Sequence, residues 1–326
     1  MKNFLVVTLV AALILGVFAF SGCNKKGETL KIGLGVYTDV ETANATQDKN
    51  GSAMENSTVA AVLVDGKGRI VKCVVDCTDN TVAYTANGKA IANDSFLTKY
   101  EKGDSYNMVL YGGAVQEWYA QANAFCALVS GKTLSEVKAL VSSDGNGTDE
   151  VIKAGCTIVV LDFVTAIEKA MNQAVISEAT AKDTLKLGVF TSQETEDANE
   201  DKEGFHRLET TFFVAAFNEK DKIVAARAEC VSAEIPFDIN GASAFEMDQN
   251  VEAKYEKGSD YGMVQYGNAV QEWYAQADTF CKACIGRTVS EVTSLMREDR
   301  YGTDSLQKAG CTIAVDVFVR AVSKIK

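Results

Sequence analysis

Residues 100–137 read YEKGDSYNMVLYGGAVQEWYAQANAFCALVSGKTLSEV, and residues 255–292 read YEKGSDYGMVQYGNAVQEWYAQADTFCKACIGRTVSEV. The two stretches align without a gap. So do their continuations, GTDEVIKAGCTIVVLDFVTAIEKA at 147–170 and GTDSLQKAGCTIAVDVFVRAVSKI at 302–325. An internal repeat takes precedence over any element-by-element reading. The match extends upstream with a small change of length: GVYT at 35–38 returns as GVFT at 188–191, and STVAAVLVDGKGRIV returns more loosely as TTFFVAAFNEKDKIV. The chain therefore divides into a first module, 30–171, a linker, 172–184, and a second module, 185–326. The period is too long for a solenoid unit, and each copy is long enough to bury a core of its own.

Within each copy strands precede helices. Residues 58–64 and 70–75 are rich in β-branched side chains and flank a segment beginning Asp65-Gly66-Lys67-Gly68, which has hairpin chemistry. Residues 108–129 lack proline and carry apolar residues at helical spacing, as do the matching residues after Met263, so the longest helix of each module is expected there. Thr133-Leu-Ser-Glu136 and Thr288-Val-Ser-Glu291 are capping boxes that open a second helix. A last helix is expected from about Thr157, with Val160, Phe163, Val164 and Ile167 on one face, and from about Thr312 in the second copy. The fold class is α+β: two tandem copies of an antiparallel sheet covered by helices.

Composition narrows the chemistry. The 326 residues carry a formal charge of −12, and no Lys/Arg cluster stands out that could neutralise a phosphate backbone, so nucleic acid is not an expected partner. The chain has 1 histidine, His206, which leaves little room for His-dependent catalysis or a His-rich metal cage. A metal site is not expected.

The N-terminus reads as an export signal. Lys2 precedes an uncharged run of Leu, Val, Ala and Phe from Phe4 to Phe20, which ends in Ser21-Gly22-Cys23. The run is also about as long as a short membrane span, so an uncleaved anchor is the other reading. Phe20-Ser21-Gly22-Cys23 resembles the bacterial lipobox, with Phe where Leu is more usual. The resemblance implies a signal peptide at 1–22, a lipidated Cys23 and a tether at 23–29. The protein would then lie on the extracytoplasmic face of a membrane or cell envelope, held by its lipid.

The strand pair at Val62–Val71 and the turns Ala154-Gly155-Cys156-Thr157 and Ala309-Gly310-Cys311-Thr312 resemble the FMN-binding domain. That domain is found in sodium-pumping quinone reductases and in flavoprotein lipoproteins of extracellular electron transfer. Its turn reads approximately S-G-A-T-x-S/T, the last hydroxyl accepting the flavin as a phosphoester. The resemblance implies flavin binding at Gly155, Cys156, Thr157, Gly310, Cys311 and Thr312, with a redox partner. Glycine would let backbone approach the ligand, and a helix N-terminus would favour its phosphate. The acceptor position falls on Val159 and Ala314, which cannot form a phosphoester, and the preceding Asp lies further off, at Asp149 and Asp304. Any flavin would be held noncovalently. In the other reading Gly155 and Gly310 only let the last helix pack. The chain is also similar to uncharacterised exported two-module lipoproteins, a likeness that adds no chemistry.

Of the 9 cysteines, Cys77, Cys126 and Cys156 correspond to Cys230, Cys281 and Cys311, while Cys73 and Cys284 are unmatched. Three shared thiols per module cannot all pair internally. Cys281-Lys-Ala-Cys284 is a C-x-x-C without a counterpart, since Val129 stands at its second position. At a helix N-terminus Cys156 and Cys311 would have lowered pKa values and reactive thiolates; the alternative is a small buried apolar residue. Trp118 and Trp273 are expected as core anchors, with ring stacking as the alternative. The acidic stretch 194–203 and the Asp144-Gly-Asn-Gly turn read as solvated loops rather than cation sites. Together these features point to a lipid-anchored binding or electron-carrying protein rather than a hydrolytic enzyme. The alternative is a cofactor-free ligand- or envelope-interaction protein.

Overall fold

A computed structural model of the chain describes residues 29–245 and 251–325. The signal peptide, Cys23 and all but the last residue of the expected tether lie outside the described residues. The first module runs β1 (Lys31–Ala43), β2 (Gly51–Val64), β3 (Ile70–Cys77), β4 (Asn80–Tyr84) and β5 (Ala90–Ile91). It continues α1 (Lys99–Lys102), α2 (Met108–Gly112), α3 (Trp118–Val129), α4 (Leu134–Lys138), α5 (Asp149–Lys153) and α6 (Leu161–Asn172). After β6 (Val175–Ile176) the second module repeats the order. It has β7 (Thr184–Glu196), β8 (Gly204–Phe217) and β9 (Ile223–Phe237), then α7 (Lys254–Lys257), α8 (Met263–Gly267), α9 (Trp273–Cys284), α10 (Val289–Val292), α11 (Asp304–Lys308) and α12 (Asp316–Ser323). Both sheets are antiparallel and the fold is α+β. The sheets differ less than their strand counts suggest, because β9 covers in one piece what β3 and β4 cover in two: β2 pairs with β3 through residues 58–64 and with β4 through 51–55.

Local chemistry sets the elements where the sequence marks them. The hairpin between β2 and β3 closes on the Asp65 carboxylate, which accepts the backbone N–H of Lys67 and of Arg69 at 2.9 Å each, with Gly68 at φ 74°. Both capping boxes form. Two helices differ from expectation. The span 108–129 is broken, because Gly113 and its counterpart Asn268 adopt φ 64° and 51° and stop α2 and α8 after one turn. The Glu117 carboxylate then accepts the free N–H groups of Met108 and Val109, at 2.9 and 3.2 Å, and Glu272 does the same for Met263 and Val264. The last helix begins at Leu161 and Asp316, four residues later than expected.

The modules share a core. One face of each sheet is covered by its own helices, with Trp118, Phe125, Phe163 and Ile167 in the first copy and Trp273, Phe280 and Phe318 in the second. Both tryptophans are core anchors, as expected. The other faces pack on each other, giving four layers, helix–sheet–sheet–helix. Equivalent ends meet: Ile32, Leu34 and Val36 lie with Val189, Phe212 and Val214, while Val40, Val82 and Tyr84 lie with Leu208, Ile235 and Phe237. Two ion pairs across the junction are reciprocal. Lys169 binds Glu256 at 3.0 Å, and the residues at the equivalent positions, Lys324 and Glu101, bind at 2.8 Å. This is the pattern of an isologous dimer interface, realised within one chain. The linker takes part, since Val175 and Ile176 pair with β1 and Ala179 is buried in the shared core. His206 is fully buried here, its Nε2 2.8 Å from the Ala83 carbonyl and its Nδ1 2.9 Å from the Gln193 amide.

Candidate functional site

The residues singled out by sequence form a helix stop. Gly155, at φ 102°, follows α5; its N–H donates to the Ile152 carbonyl at 3.0 Å and the Cys156 N–H to the Val151 carbonyl at 3.2 Å. These are the two bonds of a Schellman turn, and Gly310 and Cys311 repeat them on Gln307 and Leu306 at 2.9 and 3.1 Å. The amide and hydroxyl of Thr157 both donate to the Gln121 Oε1, at 2.7 and 3.0 Å, and those of Thr312 to the Gln276 Oε1, at 2.8 and 3.1 Å. The donors expected to cradle a phosphate are thus held by two fully buried glutamines of the repeated EWYAQA segment.

Of the two thiol readings, the same geometry favours the small buried residue. Cys156 and Cys311 cap the end of one short helix and stand four to five residues ahead of the next, with no accessible surface. Burial pushes both thiols up to about 11, away from a reactive thiolate. Iodoacetamide at pH 8 should leave both unmodified in the folded protein and label both once denaturant unfolds it. Peptide mass spectrometry that found either labelled in the folded state would restore the reactive reading. Cys281 and Cys284 are likewise buried on α9. The stretch 194–203 ends β7 and turns, and Asp197 reaches the other module, accepting from Lys89 Nζ at 2.8 Å. Asp144 closes its own turn on Ser142 and Asn146. Among the described residues no group of His, Cys, Asp and Glu is arranged to hold a metal.

A cleft of about 470 Å³ opens in the second module between the helix-covered face of its sheet, the loop before α9 and the segment 313–320. Strand alternation puts Phe190 and Ser192 on this face and sends Val189 and Thr191 to the shared core. Register then places Thr211 beside Phe190 and Glu209 beside Ser192. Lys254, the first residue of α7, lies at the floor, 7 % exposed. It pairs with Glu209, its one hydrogen-bond acceptor among the described residues, and its Nζ stands 5.3 Å from the Tyr261 ring centroid and 5.8 Å from that of Trp273. Burial opposes its charge, but the facing Cys230 and Glu209 more than offset this and hold its pKa above the ordinary lysine value. Glu209 is correspondingly lowered: its desolvation is the largest effect, but the Lys254 charge and the hydrogen bonds from Lys254 and Cys230 together outweigh it.

Two arginines complete the cleft. Arg320 lies over the Phe190 ring, 5.1 Å from its centroid. Arg300 sits at φ 71°, 3.8 Å from Asp316, at a position where the first copy has Gly145 at φ 82°. A left-handed conformation costs a residue with a Cβ about 1 kcal/mol, a cost that the glycine of the first copy avoids. The first copy's shell has the opposite balance of charge. Lys99 is retained, Gly145 and Thr165 replace the arginines, and Asp39 and Asp162 join the shell. Burial raises the pKa of both aspartates, with Glu41 adding to the effect on Asp39 and Asp39 to that on Asp162. Sequence reasoning missed these residues, although setting one copy beside the other shows an arginine against a glycine. No protein-family model, curated protein or solved structure matches the chain.

Proposed function

We propose that the protein is a ligand-binding protein whose second module takes a small anionic molecule with an aromatic ring. The carrying observation is Arg300, held in a strained backbone conformation at the mouth of a cleft whose floor is the buried Lys254. Lys254, Arg300 and Arg320 supply three positive charges against the two negative charges of Glu209 and Asp316, while Phe190, Tyr261 and Trp273 supply ring faces and edges. FMN has this chemistry and remains the first compound to test. Its phosphate would be met by the arginines and lysine of the cleft rather than by the turns at Gly155 and Gly310. The first module, with an acidic shell, is read as serving a different ligand. Attachment to a membrane through a lipid on Cys23 belongs to the same reading, with electron transfer as the role if the ligand is a flavin.

The test is a fluorescence titration of FMN, with riboflavin for comparison. Each variant carries the first copy's residue, Arg300→Gly or Arg320→Thr. Wild type should quench FMN fluorescence and bind riboflavin more weakly. Each variant should lose about tenfold in FMN affinity, as expected for one charge-assisted contact. Arg300→Gly should be at least as stable as wild type, because the strain is gone. Wild-type protein that binds neither compound, or variants that bind FMN as well as wild type, would reject this reading of the cleft.

A further inference from the structure

A second cleft, of about 420 Å³, shares no residue with the first. It lies where an edge strand of one sheet meets an edge strand of the other. β6 is the outer strand of the first sheet and β9 of the second. Its walls are apolar, formed by Ile32, Val175, Ile176, Val224 and Ile285. Ile176 is 75 % exposed and Val175 and Ile285 are also exposed, an arrangement of aliphatic side chains around an open groove.

Four charged side chains line this groove, the exposed Glu178 and Lys282, the half-buried Asp278 and, from within the fold, Arg227. Arg227 is 4 % exposed, and the first copy has Val74 at the equivalent position, so the duplicated core does not require an arginine there. Its guanidinium stacks on the Tyr255 ring at 4.2 Å. Both of its hydrogen bonds leave from Nη1, to the Tyr255 hydroxyl at 3.1 Å and the Asp278 carboxylate at 2.8 Å. Nε is buried and has no acceptor among the described residues. A buried donor without a partner costs about 1–3 kcal/mol, and native structures seldom keep one without use. The Nε and Nη2 edge is also the edge on which a carboxylate binds with two parallel N–H···O bonds.

We infer that this cleft binds an aliphatic monocarboxylate, its carboxylate on the free edge of Arg227 and its chain along Ile32, Val175, Ile176 and Ile285. An alcohol of the same chain length lacks the paired acceptors, and a short acid lacks the chain. The test is calorimetric titration of the whole chain with octanoate, octanol and acetate. Octanoate should bind at least tenfold more tightly than either of the others. Arg227→Val, the first copy's residue, should lower octanoate affinity at least tenfold and leave the FMN titration unchanged. Ile176→Asp, on a side chain that is 75 % exposed, should weaken octanoate by a similar factor and keeps the test decisive if Arg227→Val does not fold. Octanoate that fails to bind wild type, or binds both variants as well as wild type, would overturn the inference.

Discussion

Alanine at Gly35 or Gly188 should destabilise the protein by about 3 kcal/mol or more, the upper part of the range for single substitutions. These glycines occupy the same position in the two copies, on β1 and β7, where the last helix of each module lies with its backbone against the strand. A Cβ on Gly35 would stand 2.3 Å from the Ala170 nitrogen and 2.4 Å from the Ala166 carbonyl oxygen. On Gly188 it would stand 2.0 Å from the Ala321 carbonyl oxygen. Neither contact can be relieved by a rotamer change, because the obstacles are helix backbone. The helix must move away, and movement opens a core packed at crystal-like density around Phe163 and Ile167 or around Phe318 and Val322. Gly112→Ala is the control, since nothing among the described residues lies within 4 Å of the added carbon. Denaturant midpoints should fall sharply for the first two variants and hardly move for the third. A small change at Gly188 would mean that α12 does not lie directly on β7.

The features legible in the sequence are those fixed by local chemistry. The β2–β3 hairpin and both capping boxes rest on residues that satisfy their neighbours' backbone groups, and they form where the sequence places them. The breaks between α2 and α3 and between α8 and α9 depend on Gly113 and Asn268, each inside an otherwise helical pattern whose apolar spacing continues past it. The turn at Gly155 is ambiguous for a physical reason: a Schellman stop and a phosphate cradle both need a glycine at positive φ followed by small residues. What separates them is a distant acceptor, Gln121, and no local pattern reveals it.

The shared core between the modules left a signal in the strands. Residues 57–64 and 210–217 are buried without alternation. A strand with one wet face alternates, whereas a strand covered on both faces reads as a continuous apolar run. STVAAVLV and TTFFVAAF are such runs. Helices account for one covered face, and the sister sheet for the other. The candidate cleft was legible only by difference, since Arg300, Arg320 and Asp316 replace Gly145, Thr165 and Leu161 while the surrounding repeat is kept.

Stability should fall as pH rises from 6.5 to 8.5, by about 2–3 kcal/mol, which lowers the melting temperature by roughly 5 °C for a chain of this size. The groups responsible are equivalent carboxyls on β3 and β9. Glu229 is 2 % exposed and accepts the N–H groups of Cys230 and Tyr255 at 2.9 Å each; Asp76 accepts those of Cys77 and Tyr100 at 2.7 and 3.1 Å and is half-buried. Burial dominates at both, raising Glu229 to about 8 and Asp76 to about 7. In the unfolded chain both ionise near pH 4, so above that the folded state holds protons that the unfolded state has lost. Their contribution therefore decreases as pH rises through about 7 and 8 and levels off about one unit above the higher of these. His206 acts in the other direction and lower down. Burial lowers its pKa, so unfolding takes up a proton once pH falls below about 6.5, and stability is lost there. Between 6.5 and 8.5 its opposing effect is at most about 0.4 kcal/mol, small beside that of the buried acids. Glu229→Gln keeps the shape and removes the proton, so melting curves of that variant should show about half the wild-type slope or less. A wild-type melting temperature that climbs from pH 6.5 to 8.5 would mean that the backbone donors at Glu229 outweigh its burial and that the carboxylate is charged in the fold.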